Sequence, residues 1–298
     1  MRLPVSGCWP GRCVTPAAGA DALATPAPDE LVALATRLAR AAADVLRNRS
    51  ADLDVDAKST PTDVVTAMDK AAEAVILDGL LAARPGDAVI SEESAERPGS
   101  TGVTWFVDPL DGTVNYLYGL PHFAVSIAAA VDEQLVCGVV VDVCRAQEYT
   151  AVRGSGARCG DQVLHCSDQP DPAFALVGTG FGYDAQRRAD QARTLTSVLP
   201  VVRDIRRMGS AALDLCGVAA GRLDAFYEAG MFAWDWAAGT VIAREAGARV
   251  DGLSGKPPGG HTTLAANPVL FDALHDVLVA AEADAASPNG EAVVSPAE

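Results

Sequence analysis

The chain has 298 residues, 49% of them apolar, and its 39 acidic residues outnumber its 23 basic residues. The resulting net charge of −16 repels nucleic-acid phosphates and anionic membranes, so we expect neither as a partner. The sequence has no apolar run of about 18 residues and no continuous apolar stretch typical of a secretory signal at its N-terminus. Its seven irregularly spaced cysteines favour reduced thiols in a cytoplasmic protein.

The first half of the chain is predicted to begin with a leader and two helices. Residues 1–28 are rich in Pro, Gly and Ala, and we expect them to be disordered. Apolar residues at helical spacing between Leu31 and Leu46 predict a first helix, and a second is predicted at 67–83. Short apolar runs at 88–90 and 103–107, bounded by turn residues, predict buried strands.

Three apolar runs separated by polar turns then predict an antiparallel meander. They cover residues 124–131, 135–143 and 148–152. A further strand is predicted at 175–177. Helices are predicted at 210–220 and 235–246, and each is followed by a glycine that fits the left-handed capping position.

This mixture of helices with isolated and meandering strands predicts a layered α/β or α+β domain. We place the domain at residues 29–283, in two lobes of about 29–168 and 169–283. Residues 284–298 are rich in Ala, Ser, Pro and Glu, which predicts a flexible tail.

Two carboxylates stand at the end of a predicted strand in the segment WFVDPLDGTVNY. Pro109 is expected to end the strand, so that Asp108 and Asp111 lie around a turn and point at a common centre. Gly112 lets the backbone approach a ligand closely, and a helix opening at Thr113 would offer free N–H groups to an anion. Carboxylates for a hard cation beside amides for a phosphate predict phosphoryl transfer, although the same pattern also occurs in plain surface turns.

Three further segments place acids at a strand end or a helix start. Glu92 follows a short apolar strand, Asp69 opens the second predicted helix, and Asp235 opens the last one. Each acid alone could be a helix cap. Four such clusters together are difficult to explain by capping.

These segments resemble the four signature segments of the inositol monophosphatase family. They are DVVTAMD at 63–69, ISEES at 90–94, WFVDPLDGTVNY at 105–116 and WDWAAGTVIAREAG at 234–247, in the family's order and spacing. The resemblance covers about residues 30–280. It implies an alternating α-β-α-β-α sandwich, usually a homodimer, with Mg²⁺-dependent and lithium-sensitive phosphatase activity.

The resemblance also implies a ligand set for two or three Mg²⁺ ions. It consists of the side chains of Glu92, Asp108, Asp111 and Asp235 and the main-chain carbonyl of Leu110. Gly112 and Thr113 would bind the phosphate through their amides. Lys58 stands where the family often has a lysine near the metal site.

The remaining implied roles concern the attacking water and the polyol. Asp69 and the hydroxyl of Thr113 would orient and activate the water beside the metal, with Glu92 as a further catalytic group. Glu228 matches the acid that contacts inositol hydroxyls, and Ala211 lies in a segment that approaches the polyol.

On this basis the sequence predicts hydrolysis of inositol 1-phosphate to myo-inositol and phosphate. Mg²⁺ would neutralise the dianion for attack by water, which also reconciles an acidic chain with an anionic substrate. Relatives with the same metal site hydrolyse fructose 1,6-bisphosphate, histidinol phosphate or 3′-phosphoadenosine phosphates. A non-catalytic role in a larger assembly is a further alternative.

Other chemistries are represented by weaker patterns. Cys216 and Arg222 have the C-x5-R spacing of cysteine-dependent phosphatases, but they continue a helical apolar pattern, so we expect a buried thiol. The sequence D-x-x-D-G-T is one residue longer than the D-x-D-G-T of haloacid dehalogenase phosphatases, which argues against a covalent aspartyl intermediate. Four cysteines between 137 and 166 lack any C-x2-C pair, which argues against zinc.

Overall fold

The computed structural model describes most of the chain between residues 26 and 286. The described ranges are 26–48, 55–57 and 64–286. The predicted leader up to residue 25, the tail from residue 287 and Lys58 lie outside them.

Seven α-helices occur in the described ranges. They are α1 (Pro28–Arg47), α2 (Ala67–Ala83), α3 (Thr113–Tyr118), α4 (Ala185–Val198), α5 (Ala211–Ala219), α6 (Ala233–Glu245) and α7 (Pro268–Ala286). The predicted helices correspond to α1, α2, α5 and α6. Helix α1 begins at Pro28, which the sequence assigned to the leader, and α7 extends beyond residue 283, the predicted end of the domain.

A seven-stranded sheet contains the predicted meander. Its strands are β3 (Ala88–Ser91), β4 (Val103–Asp111), β5 (Ala124–Val131), β6 (Gln134–Asp142), β7 (Gln147–Val152), β8 (Ala157–Cys159) and β9 (Gln162–Val163), in chain order across the sheet. Strands β3 and β4 are parallel, and all later neighbours are antiparallel. A separate antiparallel pair joins β1 (Val55–Ala57) to β2 (Val64–Thr66).

A five-stranded mixed sheet follows in the second half of the chain. Its strands are β10 (Leu176–Thr179), β11 (Asp204–Arg206), β12 (Ala225–Glu228), β13 (Arg249–Gly252) and β14 (Thr263–Ala266), in the order β11-β10-β12-β14-β13. Strands β10 and β12 are parallel, with Thr179 opposite Tyr227. The residues that leave the carboxyl ends of these two strands therefore emerge side by side.

The helices and the two large sheets form the predicted α-β-α-β-α layers. Helices α1 and α2 pack on the seven-stranded sheet, α5 and α6 pack between the two sheets, and α7 packs on the five-stranded sheet beside α4. The layered α/β fold is thus confirmed.

Both faces of the seven-stranded sheet are buried, as β5 illustrates. Side chains alternate between the two faces of a strand. Val125 and Ile127 join the apolar cluster with α1 and α2, whereas Ala124 and Ala128 join the cluster with α5 and α6. This explains why β5 is a continuous apolar run rather than an alternating one.

Helices α4 and α7 were not predicted from the sequence. In α7 the buried residues Leu270, Leu274 and Leu278 do recur at helical spacing, so a signal was present. Helix α4 is different, because it buries only Thr194 and Val198 and is otherwise polar. Within the described part of the chain, the structure contains no helix with the length and apolar character needed to span a bilayer.

Candidate active site

A buried hydroxyl and a buried carboxylate meet at the base of a cleft. Asp69 lies in the first turn of α2, Thr113 begins α3, and both side chains are buried. Thr113 Oγ1 lies 3.0 Å from Asp69 Oδ1 and 3.0 Å from the main-chain oxygen of Leu110. Because a hydroxyl carries one hydrogen, it donates to one of these oxygens at a time and keeps lone-pair capacity for a further donor.

An irregularity in β4 places Asp108 and Asp111 together. The pairing with β5 shifts by one residue between these two aspartates, so β4 contains one extra residue there. Residues three apart on a regular strand point to opposite faces, and the extra residue brings both carboxylates to the same side. The prediction that Pro109 ends the strand is wrong. Pairing resumes at Asp111, and Pro109 lies in the bulge, where its missing N–H costs no ladder bond.

Three aspartates at the cleft, Asp108, Asp111 and Asp235, each accept a hydrogen bond from a main-chain amide. Asp108 Oδ1 accepts from Leu110 N at 2.9 Å, Asp111 Oδ2 from Ala212 N at 2.7 Å, and Asp235 Oδ2 from Phe232 N at 2.7 Å. Asp111 Oδ2 also accepts from the Ser210 hydroxyl at 2.6 Å. Asp111 therefore joins β4 to the N-terminus of α5.

Glu92 reaches the same cleft from the neighbouring strand. It directly follows β3, and its amide donates to the main-chain oxygen of Val107 in β4 at 3.2 Å. Glu92, Asp108, Asp111 and Asp235 all line the cleft, and we refer to them as the carboxylate wall.

Burial, with repulsion between neighbouring acids as a smaller cause, raises the pKa of the three aspartates in the carboxylate wall. Burial holds the pKa of Asp108 well above its ordinary value, and the charges of the other three acids add to the effect. Burial raises the pKa of Asp111 to about 6 against the opposing effect of its hydrogen bonds. Burial, then Glu92 and Asp111, raise the pKa of Asp235. Such a cluster favours nearby positive charge.

The donor set fits a hard divalent cation. Carboxylate and carbonyl oxygens are the ligands that Mg²⁺ prefers, and no Cys or His is found among the described residues that line the cleft. As they stand, no three His, Cys, Asp or Glu side chains in the described ranges are close enough to hold an ion.

The turn between β4 and α3 brings the backbone to the cleft. Gly112 adopts a φ of 96°, in the left-handed region, and a Cβ there would approach His122 O to 3.0 Å. Asn115 fixes the following turn, because its side-chain amide donates to His122 O at 2.7 Å and to Met208 O at 2.8 Å. A short helix, α3, does open at Thr113, the condition on which the sequence interpretation of an anion site depended.

A second wall of the cleft comes from the five-stranded sheet. It consists of residues 179–183, from the last residue of β10 onward, and residues 228–231, from the last residue of β12 onward. Glu228 and Ala211 lie in the cleft, which has a volume of about 280 Å³. Arg187 and Arg207 also line it. The structure thus brings together every predicted site residue in the described ranges, except that Asp69 reaches the site through Thr113.

Comparison with known proteins supports the same interpretation. The profile of the inositol monophosphatase family matches residues 27–287. The chain belongs to this family. The predicted class of enzyme, a phosphoric monoester hydrolase, is confirmed with it.

Relatives of this family member carry two kinds of name. An inositol-1-monophosphatase of Mycobacterium leprae (strain TN) is 46% identical over 269 residues, which cover 83% of this chain and 92% of that protein. A Nus factor SuhB of Pasteurella multocida (strain Pm70) is 41% identical over 252 residues, which cover 82% and 94%. The structure of Mycobacterium tuberculosis SuhB has a TM-score of 0.74 at 44% identity and covers 85% of this chain and 97% of that one.

Two residues of this inositol monophosphatase family member were not predicted from the sequence, the buried Asp214 and the half-buried His122. Asp214 lines the cleft, and burial, then Glu228 and Asp111, hold its pKa well above the ordinary value. His122 Nε2 lies 3.9 Å from Asp214 Oδ1, and burial lowers the pKa of the imidazole. A lone aspartate inside an apolar helical segment is the signal that could have indicated Asp214.

The cysteine pattern is not a phosphate loop. Cys216 lies inside α5, and burial holds the pKa of its thiol well above the ordinary value. Arg222 donates instead to Gln147 Oε1 at 3.3 Å and to the Tyr149 hydroxyl. A thiol held protonated in a helix lacks the thiolate that nucleophilic attack requires.

Proposed function

We propose that this protein hydrolyses inositol 1-phosphate to myo-inositol and phosphate, with Mg²⁺ as its cofactor. The observation that carries the proposal is the carboxylate wall, assembled from separate segments beside the Thr113–Asp69 contact. Glu228 lies in the same cleft and is suited to hydroxyl groups.

The chain's own residues are suited to activate a water molecule. A water beside Thr113 can donate a hydrogen bond to Oγ1 while the threonine hydroxyl donates to Asp69 Oδ1, 3.0 Å away. As the water attacks phosphorus, its proton can pass to Thr113 and the threonine proton to the Asp69 carboxylate. The P–O bond to the polyol breaks as the new P–O bond forms. The leaving oxygen takes up a proton from solvent, and the Asp69 carboxyl group then returns its own proton to solvent.

Glu92, Asp108, Asp111, Asp235 and the Leu110 carbonyl would hold the metal ions. Bound Mg²⁺ would supply positive charge for the phosphate dianion and the leaving oxygen. Gly112 and Thr113 bring main-chain amides to the same cleft, where they are suited to bind phosphate oxygens.

Glu228 supports a cyclic polyol as the substrate, since a carboxylate can accept hydrogen bonds from vicinal hydroxyls. A second candidate, fructose 1,6-bisphosphate, is favoured by Arg187 and Arg207, because two guanidinium groups could bind a second phosphate. We place inositol 1-phosphate first because the Glu228 carboxyl group lies in the cleft, where it can bond hydroxyl groups and is unfavourable for a second phosphate.

We further propose that the protein works as a homodimer and meets its small-molecule substrate in the cytoplasm. The non-enzymatic alternative is a role as partner of a larger protein assembly, which the name of the Pasteurella relative suggests. The net charge of −16 supports neither nucleic acid nor a membrane surface as the direct partner.

One panel assay tests the substrate. Purified protein with saturating Mg²⁺ is offered inositol 1-phosphate, fructose 1,6-bisphosphate, histidinol phosphate and 3′-phosphoadenosine phosphate, and kcat/KM is measured for each. We expect the highest value for inositol 1-phosphate, and Li⁺ to inhibit its turnover. A higher value for the bisphosphate would favour the second candidate, and no turnover of any ester would favour the assembly role.

A further inference from the structure

A glycine at the end of β10 occupies a position where the φ angle does not require glycine. Gly180 directly follows β10 and is buried, and its φ lies outside the left-handed region in which glycine is favoured. The φ angle of Gly180 therefore does not require a glycine. The reason for a glycine must therefore lie in the space around its Cα.

That space is filled by the end of Glu228. A Cβ on Gly180 would overlap all three atoms of the Glu228 carboxyl group, Cδ, Oε1 and Oε2. Register explains the contact, because Thr179 pairs with Tyr227 and the next residues of the two parallel strands are Gly180 and Glu228. The Glu228 side chain thus lies across the neighbouring strand where that strand has no side chain.

Helix α4 holds these two strand ends together. Gln191 accepts from Gly182 N at 2.9 Å through Oε1 and donates to Ala229 O at 3.3 Å through Nε2. One side-chain amide therefore bridges the segment after β10 and the segment after β12. This bridge limits any separation of the strands that could admit a larger residue at position 180.

A second cavity of about 330 Å³ adjoins the cleft at the same point. Gly180 and Glu228 line both spaces. A side chain at position 180 would therefore push the carboxyl group either into the substrate space or away from it. Because the carboxyl group is the mobile end of a flexible side chain, it can yield while the fold is retained.

We propose that Gly180 is a positioning residue that sets the substrate preference of the enzyme by leaving room for the Glu228 carboxyl group to lie across β10. This inference rests on the proposed role of Glu228 toward the polyol. Gly180 itself makes no contact with substrate in this account. Its effect on binding passes through Glu228.

A double-mutant cycle with Gly180→Ala and Glu228→Ala tests the proposal. We expect Gly180→Ala to raise KM for inositol 1-phosphate about 10-fold, the loss of one charged hydrogen bond, with turnover of p-nitrophenyl phosphate almost unchanged. In the Glu228→Ala background, Gly180→Ala should not raise this KM any further, because the effects of substitutions at contacting residues are coupled. Gly260→Ala is the matched control, since a Cβ there meets nothing within 4 Å.

Thermal unfolding of the same variants measures the contact without any substrate. Gly180→Ala should lower the Tm of the wild-type protein and should lower it less, or not at all, in the Glu228→Ala background. Additive Tm changes, or equal losses on both esters, would overturn the role of Gly180. A third outcome is non-additive Tm changes with no change in KM in either single variant. This result would confirm the contact between position 180 and Glu228, but it would overturn the polyol role of Glu228 and the positioning role of Gly180.

Discussion

The two walls of the cleft are built in different ways. The carboxylate wall lies inside the core, where Asp111 is held by hydrogen bonds from Ser210 and Ala212 in a distant part of the chain. The second wall is held from α4 at the surface, where Gln191 and Arg188 bond its main-chain atoms. The chemistry is thus fixed by the core, while the substrate-facing wall can change without disturbing it.

Removal of divalent metal should have the largest effect and should act on the carboxylate wall alone. We expect excess EDTA to abolish turnover of every ester and added Mg²⁺ to restore it. Mg²⁺ should also raise the Tm, because an ion that binds only the folded state stabilises it. Full turnover in EDTA would refute the metal hypothesis.

Asp111→Asn should have the next largest effect. The asparagine retains an oxygen that can accept from Ser210 and Ala212, so the N-terminus of α5 stays in place while the charge is lost. We expect kcat to fall at least about 10²-fold for all substrates. Asp78→Asn, at an exposed position on α2, is the control and should leave kcat unchanged.

Glu228→Ala should affect the second wall only. We expect KM for inositol 1-phosphate to rise by about 10-fold or more, from the loss of a charged hydrogen bond, with little change for p-nitrophenyl phosphate. Equal losses on both esters would assign Glu228 to the catalytic machinery. No change on either would make histidinol phosphate or a sugar bisphosphate the leading substrate.

The stability cost of Glu228 should depend on pH. Its folded-state pKa of about 7 exceeds its ordinary value of 4.5. The folded state therefore retains a proton that the unfolded state releases, and stability falls as pH rises from 4.5 through 7. The cost is at most about 3.5 kcal/mol, at roughly 1.4 kcal/mol per pH unit.

Glu228→Gln removes this titration and isolates its contribution. In EDTA, the Tm of the glutamine variant relative to wild type should increase between pH 5 and pH 8. A Tm difference that stays constant over this range would show that Glu228 titrates normally.

Deletion of residues 1–26 should have the smallest effect. The family match begins at residue 27 and α1 at Pro28, so this cut precedes both. We expect activity and Tm to be almost unchanged. A loss of several degrees in Tm would indicate that the leader packs against the domain.

The carboxylate wall could be predicted because short local patterns encode it. A strand end or a helix start next to an acid is visible in the sequence, and three such segments contain Glu92, Asp108, Asp111 and Asp235. The bulge was not visible, because D-x-x-D fits a turn as well as an irregular strand. Only the pairing of β4 with β5 distinguishes the two.

The second wall was predicted in part only. Glu228 followed from the family resemblance, but Gly180 gave no signal, because its partner is 48 residues away and meets it only through strand register. Helix α4 escaped for a related reason. Its polar side chains, such as Gln191, form hydrogen bonds with main-chain atoms of other segments. The helix therefore shows no apolar periodicity in the sequence.

The hydrogen bonds from main-chain amides to Asp108, Asp111 and Asp235 affect the entropy of ligand binding. In each of Asp108, Asp111 and Asp235, a main-chain N–H fixes one carboxylate oxygen and thereby orients the other. Their rotamer freedom is lost when the chain folds. A cation that binds later meets carboxylates that are already oriented, which saves about 0.5–1.5 kcal/mol for each side chain that it need not immobilise. The side-chain entropy of these carboxylates is thus lost during folding and not during ligand binding.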